Sequence, residues 1–545
     1  MRTVLLHLIG LGAVATATTL GAGCIQLTTC DDRMRSEPCD GPRTTSSGSS
    51  SGGGGAGGGG GIPVECRPSD NPGASVGDEC GIFVGGPMGN DTNPGTKAAP
   101  LATLGAAIQA VFKDNLRIYA CSRAGDEPMF NEAVTIGTTT VYGGLDCESG
   151  WVHSDHPTRL TAPAGMIPLT INGILTDDKT RIEDFHVVAA DATTPGGSSV
   201  AAVANQAEVA FRNMTFEAGN ASAGAAGEEM TGTGMDGTTG LEGELACSAD
   251  PVVFGGPSVI NDCGTPDDAS DDSISGPGGI GTEMVGTQGT PGEPGSASND
   301  NGGAGQGTQD SNTCAAGAAG APGEPGLAGP GGTRRGEVHG DGFTANGVGS
   351  PGLRGLPAQG GGGGGASKGG NNVAGGRCAG QPGKGGASGG SGGSGGCGGL
   401  GGLGGQPGGS SIALIGVNAM ITFESGVTLR AKQAGAGGDG GIGQNGGLGS
   451  PGGPGGMEPG GMTMMLKVGC AGGFGGTGGT GGKGGGGFGG HSLGIAYTGI
   501  PVTLDGVTIE HTETGGAGGL GGDDLTTIDD GNEGTAADIM DFPGG

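Results

Sequence analysis

The sequence predicts an all-β solenoid, a stack of short coils that carries long glycine-rich insertions. Three observations lead to this fold class: a strand pattern that recurs along the chain, a composition poor in aromatic residues, and glycine concentrated in a few tracts. The chain has 545 residues, with 142 Gly and 31 Pro but only 1 Trp, 3 Tyr and 12 Phe. This composition excludes an ordinary aromatic-rich core over most of the length. Stacked coils, in contrast, can bury a continuous aliphatic core.

The recurrent pattern is an apolar residue, any residue, then Asp, Asn or Gly, followed by apolar-any-apolar. One copy carries an extra residue, and the four copies lie at 182–187, 211–216, 423–429 and 504–509. The apolar-any-apolar half is typical of a strand with one buried face. Asp184, Asn213 and Gly506 suit a corner in the left-handed backbone region. The spacing of 29 residues from Ile182 to Phe211 predicts one coil of the solenoid.

The glycine-rich tracts occupy one position of this repeat. Each tract follows the last apolar residue of a copy, and the chain returns through a Gly-Gly-x-Ser-apolar segment, at 196–200, 408–412 and 489–493. We therefore expect insertions at equivalent corners that project from one edge of the solenoid. Disordered, low-complexity chain is the leading expectation for these tracts. The Gly-Gly-x triplets at 389–406 and 472–483 allow an alternative, polyproline-II-type helices that pack through their glycine edges.

The segment before the first tract has an ordinary composition. Turn residues at 90–96 precede a short helical pattern in which Leu104, Ile108 and Val111 share one face. Three β-type runs follow, at 117–120, 133–136 and 140–142.

The entry segment around Asn90 to Ile108 and the coil at 504–509 resemble the right-handed parallel β-helix (pectin-lyase-like) family. This resemblance implies a right-handed parallel β-helix with an N-terminal capping helix, and it covers about 80–217, 408–433 and 489–511. The glycine tracts separately resemble, in composition only, those of Gly-rich surface lipoproteins of myxobacteria-like bacteria.

Composition and pattern divide the chain into eight segments. They are a signal peptide (1–23), a Ser/Gly-rich tether (24–65), the N-terminal part of the β-helix (66–217), an acidic glycine-rich insertion (218–407), a β-helix coil (408–433), a second glycine-rich insertion (434–488), a last coil (489–511) and an acidic glycine-rich tail (512–545).

The N-terminus resembles a bacterial lipoprotein signal peptide. A short positive leader is followed by the apolar stretch 4–20 and by Gly21-Ala22-Gly23-Cys24. The resemblance implies cleavage before Cys24, lipidation of that residue, and display at the outer membrane or cell surface. The usual Leu three residues before the Cys is Gly21 here, and an ordinary secretory signal is the alternative.

The chain has 13 cysteines, so lipidation of Cys24 leaves an even number. An exported compartment permits disulfides. Proximity in sequence suggests five pairs: Cys30 with Cys39, Cys66 with Cys80, Cys121 with Cys147, Cys247 with Cys263, and Cys378 with Cys397.

The charge balance limits the partners. With 23 Lys and Arg against 54 Asp and Glu, the net charge of −31 argues against nucleic acid and anionic lipid. Gly518 to Thr526 fits one calcium-binding nonapeptide, with Asp523 and Asp524 as candidate ligands, but a chance match is expected in a chain rich in Gly and Asp. No other cofactor and no metal centre are expected.

The β-helix resemblance also implies that clustered aspartates would mark a polysaccharide-cleaving enzyme. Asp184 and Asp505 lie at or beside corners of separate coils, and the acidic and basic residues at 177–181 are typical of a solvated turn. We therefore expect no catalytic residues. The leading hypothesis is a non-enzymatic cell-surface lipoprotein with a structural, adhesive or matrix-contact role, with extracellular polysaccharide or matrix as its expected contact. The alternatives are a polysaccharide lyase or hydrolase, and a calcium-dependent surface assembly protein.

Overall fold

A computed structural model describes residues 63–111, 117–173, 179–264, 269–294, 300–309, 311–369, 378, 383–459, 466–522 and 527–543. In these ranges the protein is mostly β, with one α-helix, α1 (Leu104–Val111). Short 3₁₀ turns lie at Val64–Cys66, Pro68–Asp70, Asp78–Cys80, Gly86–Met88 and Ala269–Asp271.

The strands, in chain order, are β1 (Gly81–Val84), β2 (Arg117–Ser122), β3 (Phe130–Asn131), β4 (Val134–Ile136), β5 (Thr140–Asp146), β6 (Val152–His153), β7 (Thr158–Thr161), β8 (Leu169–Asn172), β9 (Thr180–Glu183), β10 (Phe185–Val188), β11 (Ser199–Asn205), β12 (Glu208–Arg212), β13 (Thr215–Glu217), β14 (Val252–Val253), β15 (Ile260–Asn261), β16 (Ser273–Ile274), β17 (Gly281–Thr282), β18 (Glu337–His339), β19 (Gly342–Thr344), β20 (Ser411–Val417), β21 (Met420–Phe423), β22 (Val427–Arg430), β23 (Ser492–Thr498), β24 (Val507–Glu510) and β25 (Ala536–Asp541).

Three parallel sheets form a β-solenoid, which confirms the predicted fold class. The strand orders are β1-β2-β5-β9-β12-β21 in the first sheet, β3-β7-β10-β13-β22-β24 in the second and β4-β8-β11-β20-β23-β25 in the third. The chain visits the sheets in turn, as in β9, β10 and β11, so each circuit is one coil. β6 adds to the first sheet antiparallel to β5.

The register of the sheets matches the sequence repeat. Phe211 pairs with Ile182 on one side and with Phe423 on the other, so the 29-residue coil is confirmed. In the third sheet the apolar residue of the Gly-Gly-x-Ser-apolar segments aligns across three coils, through Val200, Ile412 and Leu493. The repeat therefore fixes which residues stack.

The predicted corners have the predicted backbone. Asp184, Asn213 and Gly506 have φ angles of 60°, 50° and 77°, all in the left-handed region. In the copy with one extra residue, Gly426 takes this conformation with φ of 72°. The Asn213 side-chain amide also donates to the Asp184 carboxylate at 3.1 Å, so neighbouring corners are linked.

Helix α1 packs against β1, β2 and β4 through the buried side chains of Leu104, Ile108 and Val111. The carboxylate of Glu132 accepts the N–H groups of Leu104 and Gly105, at 2.8 and 3.1 Å, and so caps the start of the helix. The helix of the predicted entry segment is thus fixed at both its apolar face and its N-terminus.

The glycine-rich insertions all lie between the second and third sheets. The chain leaves after β13, β22 and β24 and returns into β20, β23 and β25. This is the single recurrent corner that the sequence predicts. The first insertion also contains three short antiparallel pairs, β14–β17, β15–β16 and β18–β19, and the acidic tail contributes β25, none of which the sequence predicts.

Five disulfides cross-link the described residues. Cys66–Cys80 and Cys121–Cys147 join neighbours in sequence, as proximity suggests. The predicted pairs of Cys247 with Cys263 and of Cys378 with Cys397 are wrong, because the insertions bring residues far apart in sequence side by side. The long-range pairs are Cys247–Cys378, Cys263–Cys397 and Cys314–Cys470.

Five disulfides indicate an extracytoplasmic protein. Among the described residues, no helix has the length and apolar character needed to span a membrane. Cys24, Cys30 and Cys39 lie outside the part of the chain that the structure describes.

Candidate functional site: the glycine bundle

The glycine-rich insertions form an ordered bundle of extended segments, which we call the glycine bundle. Its six long members are segment I (224–246), segment II (315–332), segment III (347–369), segment IV (385–409), segment V (435–457) and segment VI (469–490). Backbone hydrogen bonds join neighbouring segments. Disorder, the leading expectation for these tracts, is therefore wrong for the described parts of 218–407 and 434–488.

The hydrogen bonds between segments recur every third residue. Between segments I and V the series runs from Gly224, which donates to the Ala436 carbonyl, to Ala246, which donates to the Met457 carbonyl, at 2.8 and 3.0 Å. Both chains advance by three residues at each step, except that segment I advances by four from Met230 to Gly234. Donors and acceptors rise together in number, so the two segments run parallel. This period is that of a polyproline-II helix, which has three residues per turn.

Three successive residues in the middle of segment III show the same geometry from within one chain. Gly360, Gly361 and Gly362 donate their N–H groups to Glu293, Gly393 and Ala318, which belong to three different neighbours. Successive peptide groups therefore point in three directions. The alternative prediction of polyproline-II-type packing through glycine edges is the one that the hydrogen bonds support.

Glycine is needed where segments approach each other closely. A Cβ added at Gly398 would lie 1.7 Å from the carbonyl oxygen of Gly355, and one at Gly404 would lie 1.8 Å from that of Gly349. No side chain fits at such distances, so only glycine allows these contacts.

The number of glycines in each triplet follows the number of packed edges. Segment I, which reads mostly Gly-x-x, has many exposed residues, whereas segment VI reads Gly-Gly-x and exposes its third residue. The run Gly360–Gly365 of segment III has three glycines per triplet and is buried throughout. The number of glycines per triplet therefore indicates whether a segment lies inside the bundle or at its surface.

Three buried serines of segment IV fix the register against segment I. Their hydroxyl oxygens accept backbone N–H groups at 2.7–2.8 Å, Ser388 from Glu244, Ser391 from Leu241 and Ser394 from Thr238. All three serine side chains are buried. A serine in the third place of an interior triplet can therefore accept a backbone N–H group in place of a carbonyl oxygen. These N–H groups of segment I are thus paired.

The outer positions of the bundle carry large apolar side chains that remain in contact with solvent. Leu327 is 71% exposed, Leu448 63% and Phe474 61%. Soluble proteins seldom leave many such side chains exposed side by side, and apolar patches usually mark a contact surface. The bundle holds these side chains on hydrogen-bonded backbone, so the surface is preformed.

The other candidate site surrounds Asp184. This carboxylate is one that a polysaccharide-cleaving enzyme of this fold could use, although the sequence predicts no catalytic role for it. The Ser69 hydroxyl lies 2.6 Å from Glu183 Oε2 and 2.8 Å from Asp184 Oδ2. The side chain of Glu183 is only 2% exposed, and its carboxylate also pairs with Arg181. His153 Nε2 lies 3.1 Å from Asp184 Oδ2, and this hydrogen bond raises the pKa of His153 above its usual value.

Arg181 extends this network to the next coils by a bidentate ion pair with Glu424. Its Nη1 and Nη2 donate to the two carboxylate oxygens at 2.6 and 2.7 Å. Asp184 and Glu183 therefore have all their nearby partners within the protein and hold three coils together. Asp505 lies exposed beside Gly506, three corners away from Asp184, so the two aspartates do not form one cluster. Lys179, from the predicted solvated turn, pairs with Glu208 at 2.5 Å.

Among the described residues, no group of three or more His, Cys, Asp or Glu side chains is placed to hold a metal ion. The candidate calcium ligands Asp523 and Asp524 lie outside those residues, as does the lipidation candidate Cys24.

Sequence reasoning missed the contact between Ser69 and Asp184, which are 115 positions apart, and the pairing of the segments. One signal was available for the three buried serines of segment IV. In segment IV the third residues of the triplets are small near Ser391 and become leucines at 400 and 403, where the side chains reach solvent.

Comparisons of the chain with protein-family models, with curated proteins and with solved structures found no match.

Proposed function

We propose that the protein is a non-enzymatic structural or adhesive protein of the cell surface, whose glycine bundle contacts extracellular polysaccharide or matrix. The observation that carries this proposal is the set of exposed apolar side chains that the bundle holds on hydrogen-bonded backbone. As part of the proposal, Cys24 carries a lipid that anchors the chain in the outer membrane, and residues 25–65 act as the tether. The same proposal places the solenoid in the pectin-lyase-like family.

A preformed surface suits adhesion for an energetic reason. Binding costs conformational entropy when loops or side chains must become ordered. Segments I to VI are already held by hydrogen bonds at nearly every third residue, so the backbone has little further order to gain. Many weak contacts along such a surface can then add up to stable attachment.

The solenoid supports this role as a scaffold. Its second and third sheets fix the points at which each insertion leaves and returns, and three disulfides cross-link the insertions themselves. The enzyme alternative would use carboxylates such as Asp184, but this side chain is buried and bonded to Ser69, His153 and Asn213. The partners of Asp184 favour a role in holding coils together.

Retention on extracellular matrix isolated from the producing cells tests the proposal. The triple variant Leu327→Asp, Leu448→Asp and Phe474→Asp should lose most retention, since it places charge on the bundle surface. A matched control changes three exposed apolar residues elsewhere, Val64→Asp, Met88→Asp and Met166→Asp, and should be retained like the wild type. Equal retention of both triple variants would show that the bundle is not the contact surface.

Two further measurements separate the other parts of the proposal. Radiolabelled lipid should be incorporated into the wild-type chain and not into Cys24→Ser. Turnover of an acidic glycan that disappears in Asp184→Ala or Asp505→Ala would favour the enzyme alternative.

A further inference from the structure

Segments V, VI and II lie side by side and form one face of the glycine bundle, which we call the three-segment face. Gly475 of segment VI donates to the Ser450 carbonyl of segment V at 2.9 Å. Gly320 of segment II donates to the Phe474 carbonyl of segment VI at 2.8 Å. Both series repeat every three residues, so the three segments stay in register along their length.

The exposed residues of this face occur at every third position of each segment. In a helix with three residues per turn these positions share one edge and recur about every 9 Å. The exposed residues on these edges are Asp439, Ile442, Asn445, Leu448, Pro451, Pro454 and Met457 in segment V, Ala471, Phe474, Thr477 and Thr480 in segment VI, and Ala316, Ala319, Pro322 and Pro325 in segment II.

The three-segment face is almost free of charge. Segments V, VI and II contain three charged residues, Asp439, Lys483 and Glu324, although the whole chain has 77 charged residues and a net charge of −31. Lys483 is the one cation of the three, and its ammonium group lies 3.4 Å from the Gly521 carbonyl. The face therefore offers no cluster of cations to an anionic polymer.

We infer that the three-segment face binds an extended, uncharged polysaccharide. This inference deepens the proposed function and rests on it. An acidic polymer would meet a strongly negative protein without cationic groups to pair with, whereas a neutral polymer loses no charge hydration on contact. The rings of Phe474, Pro451 and Pro322 offer flat apolar surfaces to the apolar faces of sugar rings. Segment VI between 469 and 482 spans roughly 40 Å at about 3.1 Å per residue, which suits a polymer better than a small ligand.

The matched pair Phe474 and Phe254 allows a sharp test. Both phenylalanines belong to the glycine-rich insertions and are exposed to a similar degree, 61% and 64%, but Phe254 lies outside the three-segment face. The full-length protein is mixed with insoluble cellulose, chitin or curdlan, and separately with polygalacturonate, and the bound fraction is measured at low and high salt.

The wild type should bind at least one neutral polymer, with little effect of salt. Phe474→Asp should weaken this binding about tenfold or more, since it puts a charge where the bound polymer would cover an apolar ring. Phe254→Asp should bind like the wild type. Circular dichroism of each variant shows whether the fold is kept, and Leu448→Asp repeats the test at a second site of the face.

Several outcomes would overturn the inference. Binding to polygalacturonate alone, weakened by salt, would mean that charge selects the partner. A dimer that Phe474→Asp dissociates, without binding to any polymer, would make the face a contact between two copies of the chain. If isolated matrix retains the protein but no neutral polymer does, the inference fails and the proposed function stands. If the matrix does not retain it, the proposed function fails.

Discussion

Replacing one interior glycine of the bundle by alanine should destabilise it strongly. Gly398 of segment IV is the test position, because the new Cβ would stand 1.7 Å from the Gly355 carbonyl oxygen of segment III. Ordinary van der Waals contact begins at 3.4 Å, so the two segments must separate locally by about 1.7 Å, the difference between these distances. The close atom belongs to the backbone, and no side-chain rotation can relieve the clash.

The hydrogen bonds beside this position set the size of the effect. Gly355 donates to Gly399 and Gly352 donates to Gly402, both at 2.9 Å. A separation of more than 1 Å breaks both bonds, and each bond broken in a buried place costs about 1–3 kcal/mol. We therefore expect Gly398→Ala to lower the free energy of unfolding of the bundle by about 2–6 kcal/mol, a large share of the 5–15 kcal/mol typical of a folded domain.

Hydrogen exchange measures this loss where it occurs, in peptides from 347–369 and 385–409, together with the denaturation midpoint of the whole chain. Gly105→Ala is the control, since Gly105 lies in α1 and its nearest atom to the new Cβ is a flexible carboxylate oxygen of Glu132 at 3.4 Å. Helix propensity predicts a gain of about 0.5–1 kcal/mol there. A loss at Gly398→Ala below about 0.5 kcal/mol, the range of surface substitutions, would refute the close-packing argument.

Three further predictions concern the disulfides, a buried histidine and a corner. Replacing Cys263 and Cys397 by alanine opens a link across 134 positions and should cost about 3–5 kcal/mol in chemical denaturation; an unchanged midpoint would mean that the bundle alone fixes these strands. Burial lowers the pKa of His491, whose Nδ1 accepts the Thr535 N–H at 2.9 Å, so the unfolded chain binds the proton more readily. Stability should then fall as pH drops below about 6.5, and His491→Gln should flatten that part of the curve relative to the wild type; identical curves would contradict it. Asn213→Ala should lose about 1–2 kcal/mol for its left-handed backbone, in addition to the hydrogen bond to the neighbouring corner, while Asn213→Gly should avoid the backbone cost; equal losses would show that backbone strain is unimportant at this corner.

The solenoid could be predicted from the sequence because its signals are local and repeated. The alignment of Val200, Ile412 and Leu493 follows from the spacing of the copies, and the corner at Asn213 follows from the residue types that tolerate a left-handed backbone. The number of glycines per triplet likewise indicates how many edges of a segment are packed.

The partners of the bundle segments could not be predicted, because every triplet resembles every other. Gly224 pairs with Ala436 across more than 200 positions, and nothing in the local sequence distinguishes that partner from a dozen similar ones. The choice depends on how the whole insertion folds. The disulfide between Cys247 and Cys378 and the contact of Ser69 with Asp184 follow from the same long-range geometry, so proximity in sequence gave no guide to them.

The three-residue step of the bundle also constrains how this protein can change in length. Adding or removing a whole triplet in a long segment keeps every glycine at its packed edge and every side chain at its exposed edge. Adding one or two residues rotates all that follows by a third or two thirds of a turn and drives side chains into contacts that only glycine allows, such as the one at Gly398. The register survives only where a local bulge takes up the extra residue, as in the four-residue step of segment I from Met230 to Gly234. The reach of the bundle from its solenoid can therefore evolve in steps of about 9 Å while the solenoid itself stays the same.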